Sequence, residues 1–78
     1  MIMKKLIVVN GMTGQETPVR VGEGTTPKDV LAKLGLEEHR LSRVRDRYEL
    51  PLGRDMLPSV QNGERLFAFA AMAVGGEL

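Results

Sequence analysis

The sequence predicts an α+β fold, a mixed sheet of four to five strands carrying one main helix. Three observations lead there. A β-branched run, Leu6-Ile7-Val8-Val9, stands near the start, and a continuous apolar run, Leu66 to Met72, stands near the end. Between them lies one segment with a complete set of helix signals, from Thr26 to Gly35.

The first run is continuous rather than alternating, which suits a strand buried on both faces. Asn10-Gly11 and Thr13-Gly14 are turn signals. In Thr17-Pro18-Val19-Arg20-Val21, two valines alternate with arginine, the pattern of a half-buried strand. Pro18 cannot donate to a ladder, so this strand belongs at an edge. The two strands should form a hairpin around a loop near residues 10–16.

The helix is expected over residues 27–34. Thr26 suits the N-cap, Pro27 the first helical position, and Asp29 can reach back while meeting the helix dipole. Val30, Leu31 and Leu34 form the apolar face. Gly35 fits the left-handed position after the helix, with Leu36 as the apolar contact that follows. A third strand is read over residues 41–46. Pro51, Gly53 and Pro58 break the next stretch into short turns around Tyr48-Glu49-Leu50 and Met56-Leu57, with one short strand expected between the third strand and the last. Asn62-Gly63 launches the final apolar strand, whose composition implies a central place in the sheet.

A hairpin, a helical crossover and a buried last strand let that strand run parallel to the first. This is the β-grasp arrangement. The competing split βαβ layout wants two helices, and only one is legible. The expected core is Leu6, Val8, Val19, Val21, Val30, Leu31, Leu34, Val44, Leu57, Leu66 and either Ala68 or Phe67, with Phe69 also assigned to core packing. The continuous run hides the in–out alternation of the last strand, so its register is left open.

Composition narrows the function classes. Seventy-eight residues make one domain with a small core and little volume for a deep active site. There is no cysteine, hence no disulfide or thiolate nucleophile. The single histidine, His39, sits in a polar run, and a metal wants several convergent ligands. No metal or other cofactor is therefore expected. No nucleophile–base pair stands out, so the chain is read as a non-enzyme. A net charge of +1 argues against a dedicated nucleic-acid binder. The start of the chain lacks the pattern of a signal peptide, and no run approaches the ~18 apolar residues of a membrane span. These features point to a cytoplasmic monomer.

Gly75-Gly76 follows the most apolar strand directly. A residue without a side chain lets an extended tail thread a narrow tunnel and leaves its carboxyl carbon open to attack. The chain is accordingly divided into a domain over 1–74 and a flexible tail over 75–78, with residues from about Ala73 onward expected to project.

The stretch from Asn62 to Gly76 resembles the end of bacterial sulfur carriers of the thiamine and molybdopterin type: a Gly-containing turn, an apolar strand, then Gly-Gly. Leu50-Pro51 and the Thr25-Thr26 helix start fit the same pattern. In one respect the chain differs, since Glu77 and Leu78 follow the glycines. That extension resembles an unprocessed ubiquitin-like modifier. The resemblance implies that Gly76 becomes an acyl donor once Glu77-Leu78 is removed, with Gly75 as its slender neighbour. It implies an ATP-using adenylating enzyme as partner and a processing metallopeptidase before it. Transfer to sulfide and transfer to a target lysine both stay open.

Arg43, Arg45 and Arg47 stand at i, i+2 and i+4, which in a strand places them on one face, away from Val44. Together with Val74 they are the candidate partner-binding residues, steering an acidic surface. Three readings follow: a processed modifier or sulfur carrier acting through Gly76, a non-covalent interaction module, and a small nucleic-acid binder using the arginines, for which only Tyr48 offers a nearby stacking ring.

Overall fold

The computed structural model describes residues 2–70. Over these, strand β1 (Met3–Asn10), strand β2 (Glu16–Gly22), helix α1 (Pro27–Lys33), strand β3 (His39–Arg43), a 3₁₀ turn (Leu57–Ser59) and strand β4 (Arg65–Ala70) follow in order. The sheet order is β2-β1-β4-β3. β1 pairs antiparallel with β2 and parallel with β4, and β3 pairs antiparallel with β4. The first and last strands are thus central neighbours, and β2, with Pro18, is an edge. This is the ubiquitin-like β-grasp fold: four strands in a mixed sheet, and one helix. The short strand expected between the third strand and the last reduces to a single bridge between Ser42 and Glu49.

Local chemistry accounts for the helix. The Thr26 hydroxyl accepts from Asp29 N–H at 3.1 Å while the Asp29 carboxylate accepts from Thr26 N–H at 3.1 Å, a reciprocal capping box. At the other end Leu36 N–H donates to Leu31 O and Gly35 N–H to Ala32 O, with Gly35 at φ 72°. That is a Schellman closure, and it needs the left-handed glycine. The turn before β4 fixes the parallel register. Gly63 N–H donates to Lys5 O at 2.6 Å, and the Asn62 side chain accepts from Lys5 N–H at 2.8 Å.

The core lies between α1 and one face of the sheet. It comprises Leu6, Val8, Val21, Val30, Leu31, Leu41, Leu50, Met56, Leu57, Val60, Leu66 and Ala68, with Val19 and Leu34 packed at its margin. Leu41 of β3 was not expected there, and neither were Leu50, Met56 and Val60. The last three come from the Pro- and Gly-broken stretch, which is held by Leu50 N–H to Leu41 O, Met56 N–H to Thr25 O, and the Lys4 ammonium donating to Leu57 O and Val60 O at 2.8 and 2.7 Å.

Three expectations are corrected. β3 ends at Arg43, so residues 44–46 form a turn and not the rest of a strand. Val44 is 50% exposed rather than core, because that turn lifts it off the sheet. Phe67 and Phe69 face away from the core, since Leu66 and Ala68 take the inward positions and alternation leaves the phenylalanines outside.

Candidate functional site

One helix covers one face of a sheet, and the other face of this sheet has no layer over it among the described residues. Register assigns its occupants. Phe67 lies opposite Val9 of β1 and Ser42 of β3, and Phe69 lies opposite Arg40. Ile7, Val9, Phe67 and Phe69 therefore make an apolar strip along the two central strands. The two phenylalanine rings stack at 6.4 Å between centroids, with 22° between planes. That is the offset geometry which aromatic pairs favour. Phe67 remains 39% exposed.

Gly11 positions Phe67. A Cβ there would sit 2.8 Å from Phe67 Cζ and 2.9 Å from Ala68 O. The same glycine donates its N–H to Ala68 O at 2.7 Å, so the β1–β2 turn closes directly onto β4. Met12, 81% exposed, extends the apolar surface at that end.

At the other end Ser42, Arg43, Val44, Arg47 and Phe67 line an open depression of about 440 Å³. Charges ring the strip, and most are already matched. Arg65 reaches across β1 to Glu16 at 2.9 Å, which shields Ile7 and Val9. Arg40 pairs with Glu49 at 2.6 Å, and Arg45 with Glu64 at 2.8 Å, whose side chain is only 5% exposed.

The three candidate arginines do not share a strand face. Arg43 is an internal staple, 18% exposed. Its Nε and Nη2 grip Asp46, its Nη1 donates to Ser59 O at 3.0 Å, and its guanidinium lies 4.7 Å above the Tyr48 ring. The hydrogen bond from Arg43 holds the Asp46 carboxyl below its usual range and raises Arg43 in turn. Arg45 and Arg47 stand in the turn that this staple shapes. Arg47 N–H donates to Arg43 O at 2.7 Å, and Arg47 takes φ 60°. It is the single non-glycine residue at positive φ among those described. A left-handed conformation costs a side-chain-bearing residue about 1–2 kcal/mol, and glycine would take it without that cost. Arg47 makes no ion pair among the described residues.

Val74, Gly75 and Gly76, and the boundary between domain and tail, lie outside the described residues. The aromatic strip is not legible in the sequence, because an unbroken apolar run conceals which residues alternate outward. The signal that locates it is the helix count: one helix covers one face, so half of the run must stay uncovered.

No family model matches the chain, and no curated protein matches it. Solved structures do. A de novo designed protein based on ubiquitin superposes with a TM-score of 0.75 at 16% identity, covering 96% of each chain. Ubiquitin of Caldiarchaeum subterraneum gives 0.72 at 16% identity, covering 95% of this chain and all of its own. The UBL domain of yeast Ddi1 gives 0.65 at 17% identity, covering 94% of each. At such identities the likeness is one of fold. Among the described residues no helix is long and apolar enough to cross a membrane.

Proposed function

We propose that this chain is a ubiquitin-like modifier or sulfur carrier, recognised on its uncovered sheet face and acting chemically through Gly76. The observation that carries the reading is the continuity of the two parts. β4 bears exposed Phe67 and half-buried Phe69 on the open face, and Gly76 stands six residues beyond its end at Ala70. At ~3.3–3.6 Å per extended residue, six residues can span at most about 20–22 Å. A single enzyme holding the strip would have the glycine pair within reach.

The chemistry requires a free carboxylate. While Glu77 follows, Gly76 carries an amide and has no group to adenylate. After a peptidase removes Glu77-Leu78, the Gly76 carboxylate would attack the α-phosphorus of ATP and release pyrophosphate. The acyl group would then pass to sulfide, giving a thiocarboxylate and releasing AMP, or to an enzyme thiol with release of AMP and from that thioester to a lysine amine, which frees the thiol. The domain contributes recognition and no catalytic group. An ATP–pyrophosphate exchange assay with the adenylating enzyme from the same cell tests this. Exchange with the chain ending at Gly76 and none with the chain ending at Leu78 is expected. No exchange with either, or equal exchange with both, removes the chemical role.

One observation favours a second reading. The aromatic strip, its depression and Arg47 are complete within residues 2–70, so a partner could bind them without any reaction at the tail. That non-covalent module is the reading left standing if exchange fails while binding to the strip persists.

A further inference from the structure

We propose that Arg47 is a specificity-determining residue of the uncovered sheet face, and that this end of the face takes a protein segment carrying a large apolar side chain next to a carboxylate. The inference rests on the docking half of the function proposed above and adds the chemistry of what docks. It starts from charge. Around the strip, Arg40, Arg43, Arg45 and Arg65 are each matched by a carboxylate of this chain: Glu49, Asp46, Glu64 and Glu16. Arg47 stands among them with no such partner among the described residues, beside Val44 and Phe67 at the rim of the 440 Å³ depression. Lys5 and Arg20, paired across β1 and β2 on the same face, also lack an ion pair among the described residues, but neither lines the depression, whose lining therefore carries one unmatched positive charge, that of Arg47. The complement of that lining is an apolar group with one negative charge.

Geometry makes the same assignment. Arg43, bound to Asp46, to Ser59 O and over Tyr48, clamps the turn from both sides. Arg47 N–H returns to Arg43 O and the backbone enters the left-handed region. Glycine would satisfy that backbone. An arginine there gives the turn nothing, whereas its guanidinium supplies the donors that match a carboxylate with two parallel hydrogen bonds. Exposed partners of this kind act on encounter and on choice of partner more than on affinity.

The test is selection of random linear peptides displayed on phage against the immobilised wild-type chain, Arg47→Gly, Arg47→Glu and Phe67→Ser. Arg47→Gly keeps the left-handed turn while removing the side chain, so it separates recognition from backbone support. The wild type should enrich peptides that pair an acidic residue with a large apolar one. Arg47→Gly should keep the apolar preference and lose the acidic one, Arg47→Glu should turn the preference basic, and Phe67→Ser should lose both. Binding of the selected acidic peptide should weaken with salt for the wild type and much less for Arg47→Gly. If Phe67-dependent peptides emerge without an acidic preference, or with the same one on Arg47→Glu, the role of Arg47 is overturned while the docking face stands. If no peptide depends on Phe67, the docking face itself fails.

Discussion

Replacing Gly11 by alanine adds one methyl at the point where the β1–β2 turn meets β4. That Cβ would fall 2.8 Å from Phe67 Cζ and 2.9 Å from Ala68 O. The first neighbour is the end of a side chain and can swing. The second is a carbonyl held in the central ladder and already bonded to Gly11 N–H at 2.7 Å, so it cannot. Overpacking of this kind costs about 1–3 kcal/mol. Against it, alanine restricts the unfolded chain and returns roughly 0.4–1 kcal/mol. The net is a destabilisation of up to about 2.5 kcal/mol, centred near ~1.3 kcal/mol, which for a domain this size lowers Tm on the order of 5–10 °C at the central value. Urea and thermal melts followed by circular dichroism measure it. The two clashes separate in a double-mutant cycle. In a Phe67→Ala background the ring clash is gone and the carbonyl clash remains, so the Gly11→Ala penalty should shrink by about 0.5 kcal/mol or more without vanishing. A stabilised Gly11→Ala, or a penalty identical in both backgrounds, would refute the claim that this glycine seats Phe67 on the open face.

Two further outcomes probe the segments that the sequence left vague. Leu50→Ala should cost about 2–5 kcal/mol in a thermal or urea melt, because a fully buried leucine is truncated in a small core; a loss under about 1 kcal/mol would mean that residues 50–60 do not close the core. The Arg43–Asp46 staple should give stability a dependence on acid. Asp46 is held below its usual range by Arg43, so its contribution is present above the ordinary carboxylate range and fades as pH falls through the depressed folded value. Arg43 is raised, so its part persists across that window. Urea melts over an acid series should show the wild type losing an increment that Asp46→Asn never has, and parallel decline of the two would contradict it.

The helix and the topology were legible in the sequence because their signals are local. Thr26, Pro27, Asp29 and Gly35 each act within four residues, through hydrogen bonds and dihedral preferences that need no distant partner. The parallel pairing of the ends followed from the order of elements alone. The same sequence placed Gly75-Gly76 after the last strand, which no packing argument could alter. What depended on distant partners was not legible. Leu50, Met56 and Val60 are core because Lys4, Thr25 and Leu41 draw an irregular stretch across the sheet, and no periodicity marks such a stretch. Three alternating arginines looked like one strand face until Arg43 found Asp46 and bent the chain, sending Arg45 to Glu64 and leaving Arg47 at the rim. The apolar run of β4 announced burial, but burial needs a second layer. Only the fold decided that α1 covers Leu66 and Ala68 and leaves Phe67 and Phe69 on the open side, because one helix can shield one face of a sheet and no more.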